Sequence, residues 1–311
     1  MSRTAGEFRA VTYSGSGPYC YSNALAMTLG HPVDAPLIEA ITGSAYGYQR
    51  IGEFPLFDPP GWDPDKGIDQ ALGIMGVESQ RRTFTDEKEA LATLRRLANQ
   101  GPVFVGPLDM GLLRHQGRSD RPTGADHFVA VLDVNDERVV MHDPQGHPYA
   151  ALPVRDFMKA WGSDSIGYAE GRFPLRTGFT KPVGTAAQWA AGSLPQALNW
   201  AQGAEAIPGF PSGNEDGLRE LSEEATTRGL SFVTTAVLLD FSLRLGARRR
   251  SDTADLLRDY PELASLLARQ AAVIGGAQIS VIDSDWVSLA RRLDDASALH
   301  SEIVEELRKL A

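Results

Sequence analysis

Near residue 180 the chain changes texture, and that change restricts the fold more than any other feature of its 311 residues. Before it, Gly, Pro and aromatic residues punctuate short apolar runs; after Gly178 the apolar positions recur with helical spacing almost to the C-terminus. Such a division predicts two domains, one of mixed structure over 1–180 and one all-helical over 181–311, with the boundary at Phe179–Gly184 around Lys181-Pro182.

In the first part, Val103–Val105, Phe128–Val134 and Arg138–Met141 read as strands, and the last two form a hairpin across the turn Asn135-Asp136-Glu137. Helical patterns cover Tyr21–Leu29, Lys66–Met75 and Asp86–Asn99, the last opened by Thr85 and ended by Gly101-Pro102. In the second part, helices are expected over Ala186–Gln202, Asp216–Arg228, Ser231–Leu245, Asp252–Ile274 and Asp283–Leu310, with Ile207–Gly213 separating the first two. The class is therefore α+β: an N-terminal helix bearing Cys20 packed on an antiparallel sheet, followed by a helical C-terminal domain.

Composition excludes several functions. A formal net charge of −10 argues against nucleic acid as partner, because phosphate binding needs a basic surface. No apolar run approaches the ~20 residues of a membrane helix. The start, MSRTAGEFRAVTYSG, lacks a signal-peptide core. A cytoplasmic location, with no membrane partner, is the expectation. One cysteine makes neither an internal disulfide nor a zinc site, so no metal and no cofactor are expected.

That cysteine sits in SGSGPYCYSNALAMTLG. Gly15, Gly17 and Pro18 forbid regular structure before it, which puts Cys20 in the first turn of a helix. Unpaired amides and the positive end of the helix dipole favour a thiolate there, and the same amides can receive the oxygen of a tetrahedral intermediate. The competing reading is a thiol packed beneath the helix.

A thiolate nucleophile needs a proton carrier. Of six histidines, His31 reads as a helix cap, His115 as part of the polar stretch RHQGRSDRPTG, His147 as a turn residue and His300 as the polar side of a terminal helix. Strand alternation points His142 away from the face of Asp143. His127 differs, because it begins the strand HFVAVLDV. Asp143 closes the following strand before Pro144, and antiparallel pairing brings it back beside His127. An acceptor there fixes the ring tautomer and stabilises the imidazolium. Cys20, His127 and Asp143 are thus the expected catalytic set; the competing reading of Asp143 is an Asx turn.

The order of helix-borne Cys, strand-start His and Asp one strand later resembles the papain-like superfamily. HFVAVLDVNDERVVMHDP is similar to the His and Asp strands of the C39-type peptidases. GPYCYSNALAMTLG resembles the N-terminal domain of the butirosin biosynthesis protein H family, whose members carry a helical C-terminal domain. The resemblance implies a papain-like fold and an acyltransferase: the cysteine accepts an acyl group from a carrier-protein or CoA-type thioester and passes it to an amine or an internal nucleophile. Implied partners are a small-molecule acyl acceptor and an acyl carrier protein. A homodimer is a further expectation, through the helical domain. A peptidase or amidase on the same triad, and a non-catalytic binding protein of the same fold, are the alternatives.

One departure favours acyl transfer over proteolysis. TYSGSGPYC lacks the glutamine that papain-like peptidases place before the cysteine, so Tyr13, Ser14 or Ser16 must supply any side-chain oxyanion donor. Losing such a donor costs about 2.7–4 kcal/mol of transition-state stabilisation, which an activated thioester tolerates better than an amide. Tyr19, Tyr46, Tyr48 and Trp62 are the substrate-binding candidates, with Phe54 and Phe57 near them. Arg244, Arg248, Arg249 and Arg250 form the densest basic cluster, read either as a carrier-protein docking patch or as a solvated helix end.

Overall fold

The structure, a computed structural model, describes residues 11–30, 33–117, 120–203 and 213–311. The expected roles of His31 and of the segment 207–212 lie outside the described residues. In chain order the elements are α1 (Cys20–Leu29), α2 (Ala35–Ile41), β1 (Gln49–Ile51), β2 (Phe54–Leu56), α3 (Pro64–Ile74), β3 (Gln80–Arg82), α4 (Glu87–Ala98), β4 (Val103–Asp109), β5 (Asp126–Val134), β6 (Arg138–Asp143), β7 (His147–Pro153), α5 (Val154–Trp161) and β8 (Leu175–Thr177). Then come α6 (Ala186–Ala201), α7 (Asn214–Arg228), α8 (Phe232–Val237), α9 (Leu243–Leu256), α10 (Pro261–Ile282) and α11 (Trp286–Leu310). The class is α+β.

The chain forms two compact units, one of Met1–Ala35 with Gly76–Pro182, the other of Pro36–Met75 with Val183–Ala311. The segment Pro36–Met75, expected in the first domain, thus belongs with the C-terminal helices. The reason is tertiary: Tyr48 and Phe57 are buried in one apolar cluster with residues of α7, α9, α10 and α11, and Asn214 hydrogen-bonds the Tyr48 backbone in both directions.

In the first unit an antiparallel sheet runs β3-β8-β4-β5-β6-β7. Alternation along the strands sorts its two faces. Val103, Val105, Val129, Val131, Val139 and Met141 pack in one cluster with Ala90, Leu94 and Leu97 of α4 and Phe157 and Trp161 of α5. On the other parity, Phe128 stacks on Phe104 and meets Tyr21 of α1 edge-on at 6.1 Å. Helix α4 is fixed at its start by Asp86, whose carboxylate accepts from the Glu89 amide, rather than by Thr85. In the hairpin between β5 and β6, Asn135 Oδ1 accepts from the amides of Glu137 and Arg138.

In the second unit, the helix expected over Asp252–Ile274 is two helices, because Pro261 lacks an amide proton and fits only the first turn of α10. The helix expected over Ser231–Leu245 passes through a π-helical turn at Leu238–Ser242 before continuing as α9. By length and composition α10 is long and apolar enough to cross a membrane, contrary to the expectation from the sequence. Within this unit it buries Leu263, Leu267, Gln270, Ile274 and Val281, as a core helix of a bundle does.

Candidate active site

Strands β5 and β6 bring His127 and Asp143 together. His127 Nε2 donates to Asp143 Oδ1 at 2.7 Å, and both side chains are removed from water, 1% and 0% exposed. The sheet is irregular at this end. The β4–β5 register shifts between Val105 and Leu108, where Leu108 faces His127, and the β6–β7 register shifts before Asp143 pairs with His147. Such bulges re-aim side chains at sheet ends.

Asp143 accepts more than the His127 proton. Oδ1 also accepts from the Gln145 amide at 2.8 Å, and Oδ2 accepts from His115 Nε2 at 2.6 Å and Gln116 Nε2 at 2.7 Å. Burial alone would raise the Asp143 carboxyl. The hydrogen bonds from His115 and His127, the His127 charge and the Gln145 amide outweigh it and hold the carboxyl far below the usual carboxylate range. The group is a carboxylate that accepts from each of these donors.

Cys20 is the first residue of α1 and is partly exposed. Tyr19 occupies the N-cap without a side-chain capping bond, so the positive end of the dipole falls at Cys20. Two contacts join α1 and the segment before it to β5 and to the β6–β7 turn. Tyr21 and Phe128, the immediate chain neighbours of Cys20 and His127, touch edge-on. The segment before α1 is stitched to the β6–β7 turn: Tyr13 Oη donates to the Asp143 carbonyl at 3.0 Å and accepts from the Gly146 amide at 2.9 Å. At Gly15 the backbone comes so close to the turn that a Cβ would stand 2.6 Å from the Pro144 carbonyl oxygen. Cys20 follows Gly15 by five positions, a reach of at most about 18 Å.

Of the oxyanion candidates, Tyr13 and Ser14 donate their hydroxyl protons elsewhere, whereas Ser16 accepts. Tyr13 serves the turn as described. Ser14 Oγ donates to Asn23 Oδ1 at 2.5 Å, and Ser16 Oγ accepts from Asn23 Nδ2 at 3.3 Å, so both brace a buried residue of α1. Tyr19 is fully buried, and its carbonyl accepts from the Asn23 side chain.

Tyr46, Tyr48 and Trp62 lie in the second unit and are buried there. Tyr48 stacks edge-on with Phe57, and Trp62 Nε1 donates to the Thr42 carbonyl beneath the Arg249 guanidinium. They are core residues of that unit rather than the lining of an open pocket.

The arginine cluster is also not what its sequence suggests. Arg249 is buried and paired with Glu39 at 2.7 Å and Asp58 at 3.0 Å. Arg250 is buried against Gln270 Oε1 and the carbonyls of Gly47 and Gly246. Arg248 pairs with Asp252, and only Arg244 is exposed. Neither a docking patch nor a solvated helix end describes it.

Among the histidines, His142 behaves as expected: Nε2 donates to the Val11 carbonyl and Nδ1 accepts from the Tyr149 amide, away from Asp143. His300 is not on a polar surface but buried, donating to the Ala201 carbonyl at 2.9 Å. His115 is the residue that sequence reasoning missed, together with Gln116. Both sit on a short 3-10 turn, Arg114–Gln116, in an otherwise polar loop. The signal was present in the preceding pair Leu112-Leu113, which is buried in the sheet core and anchors that loop.

Two comparisons bear on the chain. A family model for the YobF C-terminal domain matches residues 210–308, which lie wholly in the second unit. A Bacillus subtilis (strain 168) protein described as "Uncharacterized protein YobF" is 28% identical over 317 residues, covering 96% of this chain and 99% of that protein. The similarity therefore spans the region of Cys20, His127 and Asp143 as well as the helical unit.

Proposed function

We propose that this chain is a cysteine-nucleophile acyl-transfer enzyme of papain-like fold, acting in the manner of the butirosin biosynthesis protein H family with Cys20, His127 and Asp143 as its triad. The observation that carries the reading is the buried 2.7 Å hydrogen bond from His127 Nε2 to the ionised Asp143. With Nε2 committed to the carboxylate, Nδ1 is the nitrogen of His127 that exchanges protons with the thiol.

Cys20 Sγ attacks the carbonyl carbon of a carrier-protein or CoA-type thioester, and its proton passes to His127. The donor's C–S bond breaks, the departing thiolate takes the proton from His127, and the acyl group remains on Cys20 as a thioester. An acceptor amine then attacks that thioester, its proton passes to His127 and on to Sγ, and an amide leaves. Backbone amides at the start of α1, with the Ser16 hydroxyl, are the donors considered for the oxyanion in this scheme, since Tyr13 and Ser14 donate elsewhere. The setting is cytoplasmic and the acceptor a small molecule.

Intact-mass measurement after mixing with an N-acetylcysteamine acyl thioester tests the reading. One acyl adduct on the wild-type protein and none on Cys20→Ala is the expected result. An adduct that survives Cys20→Ala removes the nucleophile assignment. Absence of an adduct, with Cys20-dependent cleavage of a peptide library, replaces acyl transfer by peptidase or amidase activity.

A further inference from the structure

We propose that His115 is a positioning residue of this site: with Gln116 it occupies Oδ2 of Asp143 and so dedicates Oδ1 to His127. The inference rests on the cysteine-enzyme reading and adds a fourth and fifth side chain to it.

Between β4 and β5 the chain makes an excursion whose base is knotted by Asp109, a buried carboxylate that accepts from the amides of Gly111 (2.8 Å), Thr123 (3.0 Å) and Gly124 (2.9 Å) and from the Ser165 hydroxyl. Those bonds, against the cost of burial, hold its carboxyl below the usual range, so the knot is ionic. Leu112 and Leu113 are buried in the sheet core, and Arg114 pairs with Asp156 of α5 at 2.9 Å. The 3-10 turn Arg114–Gln116 is thus pinned on both sides, and its two polar side chains are delivered to one oxygen.

A carboxylate held at one oxygen alone can rotate about its Cβ–Cγ bond and exchange its oxygens. Two donors on Oδ2, with His127 and the Gln145 amide on Oδ1, remove that freedom. His115 is not merely fastening the loop. A structural histidine such as His142 uses both ring nitrogens, whereas His115 Nδ1 is buried and meets no partner among the described residues. Its polar commitment among the described residues is to Asp143, and its ring stands edge-on to His147 at 5.3 Å. The titratable groups facing it are Asp143 on β6 and His147 at the start of β7, with His127 beyond the shared carboxylate. His115 and His127 thus share one carboxylate, each on its own oxygen. Among the described residues no cluster of His, Cys, Asp or Glu is arranged to hold a metal ion, and both Nε2 atoms are turned to the carboxylate.

The test measures iodoacetamide alkylation of Cys20 against pH, and the hydrogen-bonded His127 Nε2 proton by NMR, in the full chain. His115→Ala is expected to slow alkylation about tenfold, the size of one charge-assisted hydrogen bond, and to displace the acid limb of the profile. His115→Gln, which keeps a donor toward Oδ2, restores most of the rate without restoring that limb. Gln116→Ala, which leaves the imidazole in place, shows the same loss at smaller size. The Nε2 proton signal is expected to persist in wild type, His115→Gln and Cys20→Ala, and to broaden by exchange in His115→Ala. An unchanged profile and signal in His115→Ala overturn the proposal, as does a His115→Gln protein as slow as His115→Ala. If Cys20 in the wild type is no more reactive than an ordinary thiol while the signal still depends on His115, the positioning role stands and the nucleophile reading falls.

Discussion

Asp143 in the first unit and Arg249 in the second are both charged side chains taken out of water and surrounded by partners. Around Asp143 the partners are two imidazoles, a carboxamide and a backbone amide. Around Arg249 they are the carboxylates of Glu39 and Asp58, and Trp62 beneath the guanidinium. The first set contains imidazoles, each able to donate and to accept a proton, and includes His127 of β5, the strand on which the thiol-bearing α1 packs through Tyr21 and Phe128. The second contains a cation that stays charged and fixes three segments of one unit to each other. Under the proposed function, a buried charge marks a reactive centre or a staple according to whether its partners can move a proton.

The sharpest way to break this contrast is at Asp143. Asp143→Asn offers an amide where His115 and Gln116 already donate, and it removes the charge that holds the His127 tautomer. Acylation of Cys20 is expected to fall by about 10³–10⁴-fold, the scale for losing the acid of a triad. The rate of adduct formation by mass spectrometry checks it, and a loss below tenfold would place Asp143 among the staples.

Arg249→Ala attacks the other member. It leaves Glu39 and Asp58 buried without their cation, so the second unit is expected to lose roughly 3–5 kcal/mol in urea unfolding. Cys20 alkylation in the folded protein is expected to stay at the wild-type rate. A protein of full stability would show that the pairs contribute nothing there.

A smaller effect separates the units by pH. Burial drives His300 of the second unit down to about 4 from an ordinary 6.5, against the pull of the Ala201 carbonyl. Because the unfolded chain binds the proton more readily between those values, stability of this unit is full above 6.5 and falls as pH drops toward 4, by at most ~3 kcal/mol. Asp143, depressed in the fold, contributes stability that is full above its ordinary 3.8 and is lost only as pH falls below it. Trp62, Trp189, Trp200 and Trp286 are in the second unit and Trp161 alone in the first, so tryptophan fluorescence during urea unfolding at pH 4 to 7 chiefly reports the second. His300→Gln is expected to flatten its slope; an equally steep slope in that variant assigns the loss to another group.

How much of this was legible depends on whether the partners were close in sequence. His127 and Asp143 lie on neighbouring strands joined by an Asn-led turn, and the Ala130–His142 pairing, extended by one residue, brings Asp143 within two residues of His127 on the same face. Cys20 was legible as a helix start because Gly15, Gly17 and Pro18 precede it. His115 was not, since a 3-10 turn in a polar loop has no periodicity to announce a direction. The strands QRR and LRT of β3 and β8 are too short and polar to read before their pairing is known. The arginine run misled for a related reason: nothing near Arg249 in sequence reveals that Glu39 and Asp58 await it about 200 residues upstream.

The second unit is threaded from two separate stretches of chain, and this has a consequence for dissection. A piece cut at Val183, or trimmed to the 210–308 span of the matched family, carries Arg249 but leaves Glu39 and Asp58 behind. It also leaves Tyr48 and Phe57 out of the apolar cluster and bares the face of α9 where Gly246 lies against Phe57. In this chain the helical half is therefore not a severable module, and losing the segment 36–75 would damage it more than shortening many of its surface helices.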